Sequence, residues 1–216
     1  MKLKKIASLA LAGVLAVSML TACDTTSNEQ PNVPNQPETP VASSASTTLY
    51  NELSADTRLS ITSASANSTL ESALSKATAT YWNSNDFDWL FDQASNSNNC
   101  VSAFDPDAPI VDEVAYALKA KTNFDEFYDT KGGVTAVKVY IVAGHSEAGS
   151  LAWVANTVDW DVFGKLPANG VKDDVKYEYD YTISASVVDM DRNLIGDLTQ
   201  NMKFVAVAVT QTATEV

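Results

Sequence analysis

The chain has 216 residues, 45% of them hydrophobic, which is enough for one domain with a sizeable buried core. Acidic residues outnumber basic residues by 27 to 14, so the formal net charge is −13. A surface with this charge repels phosphate backbones and anionic lipid headgroups, which excludes nucleic acid as an expected partner.

The first 23 residues have the organisation of an export signal. Three lysines and no acid occupy residues 1–5, and fifteen largely apolar residues follow at 6–20. That run is shorter than the about 20 residues that a membrane-spanning helix needs. It ends in Leu20-Thr21-Ala22-Cys23, a quartet that resembles the lipobox of bacterial lipoproteins: Leu, a small or hydroxyl residue, Gly or Ala, then Cys.

The resemblance implies that residues 1–22 are a lipoprotein signal peptide and that Cys23 receives a diacylglyceryl group and becomes the mature N-terminus. Two or more acyl chains anchor a protein stably, whereas one chain binds reversibly. The expected location is therefore the extracytoplasmic face of the cell membrane, with lipidated Cys23 as the membrane link. Loss of the three signal-peptide lysines changes the net charge from −13 to −16.

Residues 23–48 are predicted to be the lipidated cysteine followed by a disordered tether. Ser, Thr, Asn, Gln, Glu and Pro dominate residues 24–48 and no aromatic residue occurs there, so the segment cannot bury enough apolar surface to fold. Its prolines recur at every third position, at Pro31, Pro34, Pro37 and Pro40. Because polyproline II has three residues per turn, this spacing predicts a stiff, extended spacer.

Residues 49–216 are predicted to form a single acidic globular domain that begins with helices. Ser68-Thr69-Leu70-Glu71 has the form of a capping box ahead of a helix that reaches about Trp82. Another helix is expected to open near Asp107 and Pro109, and Asn123 is expected to lie in the cap of a short one.

The second half of the domain predicts a sheet. Residues 134–143 have the β-branched, continuous pattern of a buried strand, and apolar positions at helical spacing follow from 151 to a C-cap near Gly164. Residues 175–187 alternate strictly, which predicts a strand with a tyrosine-rich buried face and a wet face. A further strand is predicted at 203–211. The expected class is α+β, with N-terminal helices followed by a β-α-β-β unit whose sheet is small and largely antiparallel.

The segment GHSEAG lies between the strand at 134–143 and the following helix. It resembles the Gly-x-Ser-x-Gly turn of α/β-hydrolases, which would make Ser146 the nucleophile, although Ala148 stands where the second Gly belongs. A serine triad also needs a histidine far downstream, and the only histidine is His145, beside the serine. The favoured interpretation is a loop in which Ser146 caps the helix. A hydrolase that uses Ser146 or an Asp pair remains an alternative.

Two further patterns concern metals and thiols. Asp189, Asp191 and Asn193 repeat the first three ligand positions of an EF-hand loop, but Leu194 and Gln200 stand where Gly and a bidentate Glu are required. No metal site is therefore predicted, and calcium at a hairpin turn is kept as an alternative. Since Cys23 is expected to be acylated, Cys100 has no partner and is predicted to be a half-buried thiol at an element boundary.

Aromatic and acidic residues interleave in three segments of the chain. An aromatic face beside a carboxylate is a common way to bind sugars, so the candidate binding residues are Trp89, Trp153 and Trp160. Helical packing with a solvated acidic face explains the same spacing. We therefore predict a non-enzymatic surface lipoprotein, a binding or structural module of the cell envelope that has no cofactor and whose partner is an envelope protein or a glycan. A solute-binding lipoprotein is a further alternative.

Overall fold

The computed structural model describes residues 43–81, 86–96, 100–127, 133–193 and 199–216, which belong to one compact unit. The signal segment, Cys23 and the prolines of the tether lie outside these residues, so the lipobox and the spacer stay predictions. The helices are α1 Ser44–Glu52, α2 Thr57–Ser60, α3 Ser68–Tyr81, α4 Asp86–Asn96, α5 Pro109–Leu118 and α6 Glu147–Val162, with a 3₁₀ turn at Phe124–Glu126. The strands are β1 Ile61–Ala64, β2 Val101–Ala103, β3 Val134–Ala143, β4 Asn169–Lys172, β5 Val175–Asn193 and β6 Thr199–Glu215.

The described strands form one sheet in the order β1-β5-β6-β3-β2, and β4 pairs with β5 on the same edge as β1. Only β1 and β5 are parallel; the other described strand pairs are antiparallel. The predicted α+β class and the largely antiparallel sheet are confirmed. The sheet is larger than predicted, because β5 and β6 form a hairpin of 19 and 17 residues and the three short strands β1, β2 and β4 gave no sequence signal.

Helices cover both faces of this sheet. On one face α1, α6 and the 3₁₀ turn pack against a core that includes Tyr181 and Ile183. On the other face α3, α4 and α5 pack against a second core that includes Val137 and Phe204. None of the helices that the structure describes is long and apolar enough to cross a membrane.

The alternation predicted for 175–187 is correct for the first half of β5 and wrong for the second half. Tyr177 and Tyr179 are buried while Glu178 is exposed. Ser184 and Ser186, which were expected to face water, are buried as well. The reason is that α3 packs across this part of β5 on the face that the alternation assigns to solvent.

The tether predicted over 23–48 ends earlier than expected, because α1 begins at Ser44. The side chain of Ser43 caps this helix by accepting the backbone N–H of Ser46 at 3.2 Å. Ser46 is fully buried, and its hydroxyl accepts the N–H of Ala185 at 2.9 Å and donates to the Ala185 carbonyl at 3.3 Å. A polar segment is therefore helical here, since a distant strand supplies the partner for its hydroxyl.

Local details at three helix ends differ from the prediction or refine it. Helix α3 is capped by Asn67, whose side-chain oxygen accepts the N–H of Leu70 at 3.0 Å, one residue before the predicted capping box. The short helix capped by Asn123 is a 3₁₀ turn. Helix α6 begins at Glu147, four residues earlier than its first apolar position, and Gly164 follows its end with a φ of +67°, as a C-terminal glycine should.

Candidate functional site

A groove of about 390 Å³ lies where the C-terminal end of α6 meets α2 and the connection before it. Its volume falls within the roughly 300–1,000 Å³ that small-molecule sites occupy. Helix α6 contributes Asp159 and Trp160, and Phe163 follows directly at the C-cap. The opposite wall comes from residues 54–60. The groove therefore joins two parts of the chain that are about a hundred residues apart in sequence.

Two aromatic side chains at this groove are unusually exposed: Trp160 is 82% and Phe163 is 76% accessible to solvent. Helix α6 buries Val158 and Val162 in the core. Because successive helical residues are separated by about 100°, Trp160 lies roughly 200° around the helix from Val158 and cannot reach that core. Phe163 leaves the helix with φ −55° and ψ 117°, so it too projects away from the packed stripe.

The other walls of the groove supply hydrogen-bonding groups. Two carboxylates and three hydroxyls line it: Asp56, Asp159, Ser54, Thr57 and Ser60. The backbone N–H of Ser54 donates to both oxygens of Asp159, at 3.2 and 2.9 Å. The Ser54 hydroxyl donates to Thr57 at 3.1 Å and accepts the Thr57 N–H at 3.2 Å. The bonds between Ser54 and Asp159 connect the two walls of the groove. No Lys or Arg occurs among the described lining residues.

The last turn of α6 is attached to the sheet by Asp161, the neighbour of Trp160. Its carboxylate accepts hydrogen bonds from Lys138 Nζ at 2.8 Å and from the Tyr140 hydroxyl at 3.0 Å. Burial, reinforced by the negative charge of Asp161, raises the pKa of Tyr140 well above its ordinary value, so this hydroxyl stays a proton donor. The ammonium of Lys138 also lies 5.7 Å from the ring centroid of Phe124. These contacts fix the end of the helix that carries Trp160.

The groove continues into a second, wider depression of about 750 Å³, since Gly164 and Leu166 line both. This depression contains Lys165, which forms an ion pair with Asp125, and the exposed Lys172. The hydrogen bond from Lys165 lowers the pKa of the Asp125 carboxyl. Charge in this region is therefore mostly paired, apart from the exposed lysine at the far rim.

The groove lies at the opposite end of α1 and α6 from Ser43. Ser43 and Glu147, at the N-terminal ends of α1 and α6, line one cavity together, whereas Ser54 and Asp159, at the C-terminal ends, line the groove. The two packed helices thus run in the same direction. With 16 residues, α6 is about 24 Å long, so the two cavities are separated by about the length of this helix.

Of the two predicted binding tryptophans whose side chains the structure describes, Trp160 lines this groove. Trp153 lies on the same helix, is half-buried, packs against the core and has its ring 6.2 Å from that of His145, so it is not part of the groove lining and its binding role stays a prediction. Trp89 lies in α4, and its side chain is outside the described residues.

The GHSEAG segment adopts the geometry of a helix cap. The Ser146 side chain accepts the N–H of Gly149 at 3.2 Å, which confirms the predicted N-cap of α6. Its φ of −62° and ψ of 164° lie in the ordinary extended region, whereas a nucleophile elbow holds its serine on a strained turn. The positive φ falls on Gly144 instead.

The DxDxN segment lies within β5 rather than in a loop. Asn201, on the paired strand, donates to Asp189 at 2.7 Å and to Asp191 at 3.0 Å, and Lys203 donates to Asp189 at 3.1 Å. The side chain of Asn193 is outside the described residues. The ammonium of Lys203 offsets the charge of Asp189, and the described parts of the chain contain no group of three His, Cys, Asp or Glu residues that could hold a metal.

Cys100 is a free, half-buried thiol directly before β2, as predicted. Its φ is +56°, and its carbonyl accepts the N–H of Ala143, so the residue makes the turn that brings β2 onto β3.

Comparisons with protein-family models, with curated proteins and with solved structures found no match. The site must therefore be judged on its own residues. The sequence indicated Trp160 but not the wall at 54–60, whose sequence SADTRLS matches no binding motif. The position of Trp160 off the apolar stripe of α6 was a usable sign of exposure, but no local pattern indicates the contact between Ser54 and Asp159.

Proposed function

We propose that this chain is a lipid-anchored bacterial surface protein whose domain is a non-enzymatic binding module, with the groove beside Trp160 as its binding surface. The observation that carries the proposal is the exposure of Trp160 and Phe163 at one groove. Full burial of a side chain such as Phe contributes about 1.5–3 kcal/mol, so two exposed aromatic rings leave a substantial free energy to be gained from a ligand. Single exposed apolar residues are common on proteins, but a pair at a preformed groove is a sign of binding.

Two alternatives, a hydrolase that acts through Ser146 and a solute-binding protein, have less support in the geometry; a hydrolase that uses an Asp pair stays an alternative. A hydrolase that uses Ser146 needs an activated hydroxyl, whereas this oxygen accepts the N–H of Gly149 in an unstrained helix cap. A solute-binding protein of the transport type closes two lobes around its ligand, whereas the described residues build a single sheet with helices on both faces.

The anchor is tested by cell fractionation with the two cysteines as a matched pair. Cys23→Ala should release the protein from the membrane fraction or leave it with its signal segment uncleaved. Cys100→Ala should remain processed and membrane-bound, because its thiol is half-buried in the domain. The lipoprotein assignment is wrong if Cys23→Ala is cleaved, localised and extracted by detergent as the wild type is.

The binding surface is tested with washed envelopes from cells that lack the protein. The purified Cys23→Ala protein, which cannot carry the lipid, should bind these envelopes, and Trp160→Ala in the same Cys23→Ala protein should bind at least severalfold more weakly. Tyr116→Ala is the control, because Tyr116 is 88% exposed on α5, away from the groove. Equal binding by the two variants would reject the groove as the binding surface.

A further inference from the structure

We infer that the ligand of the groove beside Trp160 is an uncharged glycan, a chain of pyranose rings that stacks on Trp160 and hydrogen-bonds to the carboxylates and hydroxyls beside it. This inference rests on the proposed binding function and adds the chemical class of the ligand. It depends on three properties of the groove: an accessible indole, an excess of hydrogen-bond acceptors, and the absence of a cation among the described lining residues.

The indole of Trp160 provides the stacking surface. A pyranose with mainly equatorial hydroxyls presents C–H groups on its ring face, and these carry slight positive charge. The face of an aromatic ring is negative, so the two surfaces attract each other as well as excluding water. Since Trp160 is 82% exposed and its helix end is held to the sheet by Asp161, the indole offers this surface without losing backbone freedom on binding.

The polar lining matches the hydroxyl rim of a sugar. A sugar hydroxyl donates one hydrogen bond and accepts others, and carboxylates are the strongest acceptors for such donors. Asp56 and Asp159 lie on opposite sides of the groove, on the α2 side and on α6 respectively. The hydroxyl of Ser60 adds a group that can donate or accept. A hydroxylated ligand can therefore bond to both walls while its ring lies on Trp160.

The charge of the site selects against anionic polymers. The described lining contains two carboxylates and no Lys or Arg, within a chain whose net charge is −13. Phosphate- or carboxylate-bearing polymers would be repelled by the carboxylates of the groove and by the net charge of the chain. In the adjoining depression Lys165 is already paired with Asp125, and Lys172 is the cation that such a polymer could still meet. A glycan without charge is not subject to this electrostatic repulsion.

The same lining argues against a protein partner. The surfaces at which proteins bind each other are depleted in Asp and Ser and enriched in Arg, Met and aromatic residues. Here Asp56, Asp159, Ser54 and Ser60 surround the two aromatic rings. Buried under a protein, these carboxylates would need basic partners to avoid a desolvation cost, whereas sugar hydroxyls satisfy them without a charge.

The test is calorimetric titration of the full-length protein in a detergent that carries no sugar headgroup. The probes are two neutral β-linked hexasaccharides, cellohexaose and hexa-N-acetylchitohexaose, and one anionic hexasaccharide of galacturonic acid. We expect saturable binding of at least one neutral probe, unchanged by added salt because no ion pair forms. The galacturonate probe should bind at least tenfold more weakly than that neutral probe.

Variants then assign the binding to the groove. Trp160→Ala should weaken binding of the neutral probe by about tenfold or more, and Tyr116→Ala should leave it within twofold of wild type. Urea unfolding of each variant shows that the fold is intact, and if Trp160→Ala unfolds, Trp160→Leu replaces it with the same expectation. The inference is overturned if neither neutral probe binds, if the galacturonate probe binds as tightly, or if Trp160 variants bind as wild type does.

A photoreactive residue at position 160 separates failure of this inference from failure of the proposed function. With Trp160→benzoylphenylalanine in intact cells, specific capture of a protein would overturn the glycan while leaving a binding module in place. If envelope binding is lost in Trp160→Ala and no neutral probe binds, the ligand class is wrong and the binding surface stands. If envelope binding itself does not depend on Trp160, both proposals fail.

Discussion

Replacing Ser46 with alanine should destabilise the domain far more than replacing its neighbour Ser44. Ser46 is fully buried in α1, and its hydroxyl makes two hydrogen bonds to Ala185 on β5. Ser44 is exposed in the first turn of the same helix. Both changes exchange serine for alanine in one helix, so helix propensity changes similarly and the difference reports on the buried hydroxyl.

The magnitude follows from what the substitution leaves behind. The N–H and carbonyl of Ala185 lose their partner in a region that water does not reach, and an unsatisfied buried group costs about 1–3 kcal/mol. The gain in helix propensity from serine to alanine offsets about 0.5 kcal/mol of this. Since two such groups are left, we expect Ser46→Ala to cost about 1.5–5.5 kcal/mol and Ser44→Ala to stay within about 0.5 kcal/mol of wild type.

Equilibrium urea unfolding measures both variants, with an unchanged m-value as the sign that only stability has changed. A domain of this size should lose about 2–4 °C of melting temperature per kcal/mol. Deletion of residues 28–42 should leave the melting temperature unchanged, whereas deletion of 28–47 should lower it, because the second removes the cap and first turn of α1. Equal losses in the free energy of unfolding for Ser46→Ala and Ser44→Ala would refute the reasoning, because the contact between α1 and β5 would then contribute little to stability.

Three further predictions test the sheet, the ionisation of a core tyrosine and the GHSEAG turn. Tyr179→Ala should cost about 3 kcal/mol as a large-to-small core change and Glu178→Ala under about 1, with similar losses at both positions contradicting the observed alternation. Burial raises the pKa of Tyr181 from 10.0 to about 12, so between these pH values the folded protein keeps a proton that the unfolded chain loses. The free energy of unfolding should therefore fall as the pH rises from about 10 to about 12. In Tyr181→Phe the fall per pH unit should be smaller. An identical slope in that variant would exclude Tyr181 as the cause. Ser146→Ala should cost about 1 kcal/mol as a lost N-cap, and the wild type should resist labelling by a fluorophosphonate; stoichiometric labelling abolished in Ser146→Ala would establish the hydrolase instead.

The elements that could be predicted from the sequence are those in which a pattern of apolar residues repeats along the element. Strand β3 was predicted with its observed bounds, because its ten residues are rich in β-branched and apolar side chains. The buried tyrosines of β5 and the apolar stripe of α6 were also predicted. Apolar residues that recur every two residues in a strand, or every 3.6 in a helix, indicate which face packs against the core. The cap at Ser146 could be predicted because its hydrogen-bond partner, the N–H of Gly149, lies only three residues later. In each case the physical cause is local, so a local pattern carries it.

Features that depend on contacts between residues far apart in sequence became visible only in the folded structure. Ser46 is helical and buried because Ala185, 139 residues later, accepts and donates its hydrogen bonds. Ser184 is buried because α3 lies across the face that its alternation assigns to water. The groove beside Trp160 exists because the N–H of Ser54 meets Asp159, 105 residues away. A sequence pattern fixes which way a side chain points, whereas the packing of separate elements decides whether it meets water, a hydrogen-bond partner or a ligand.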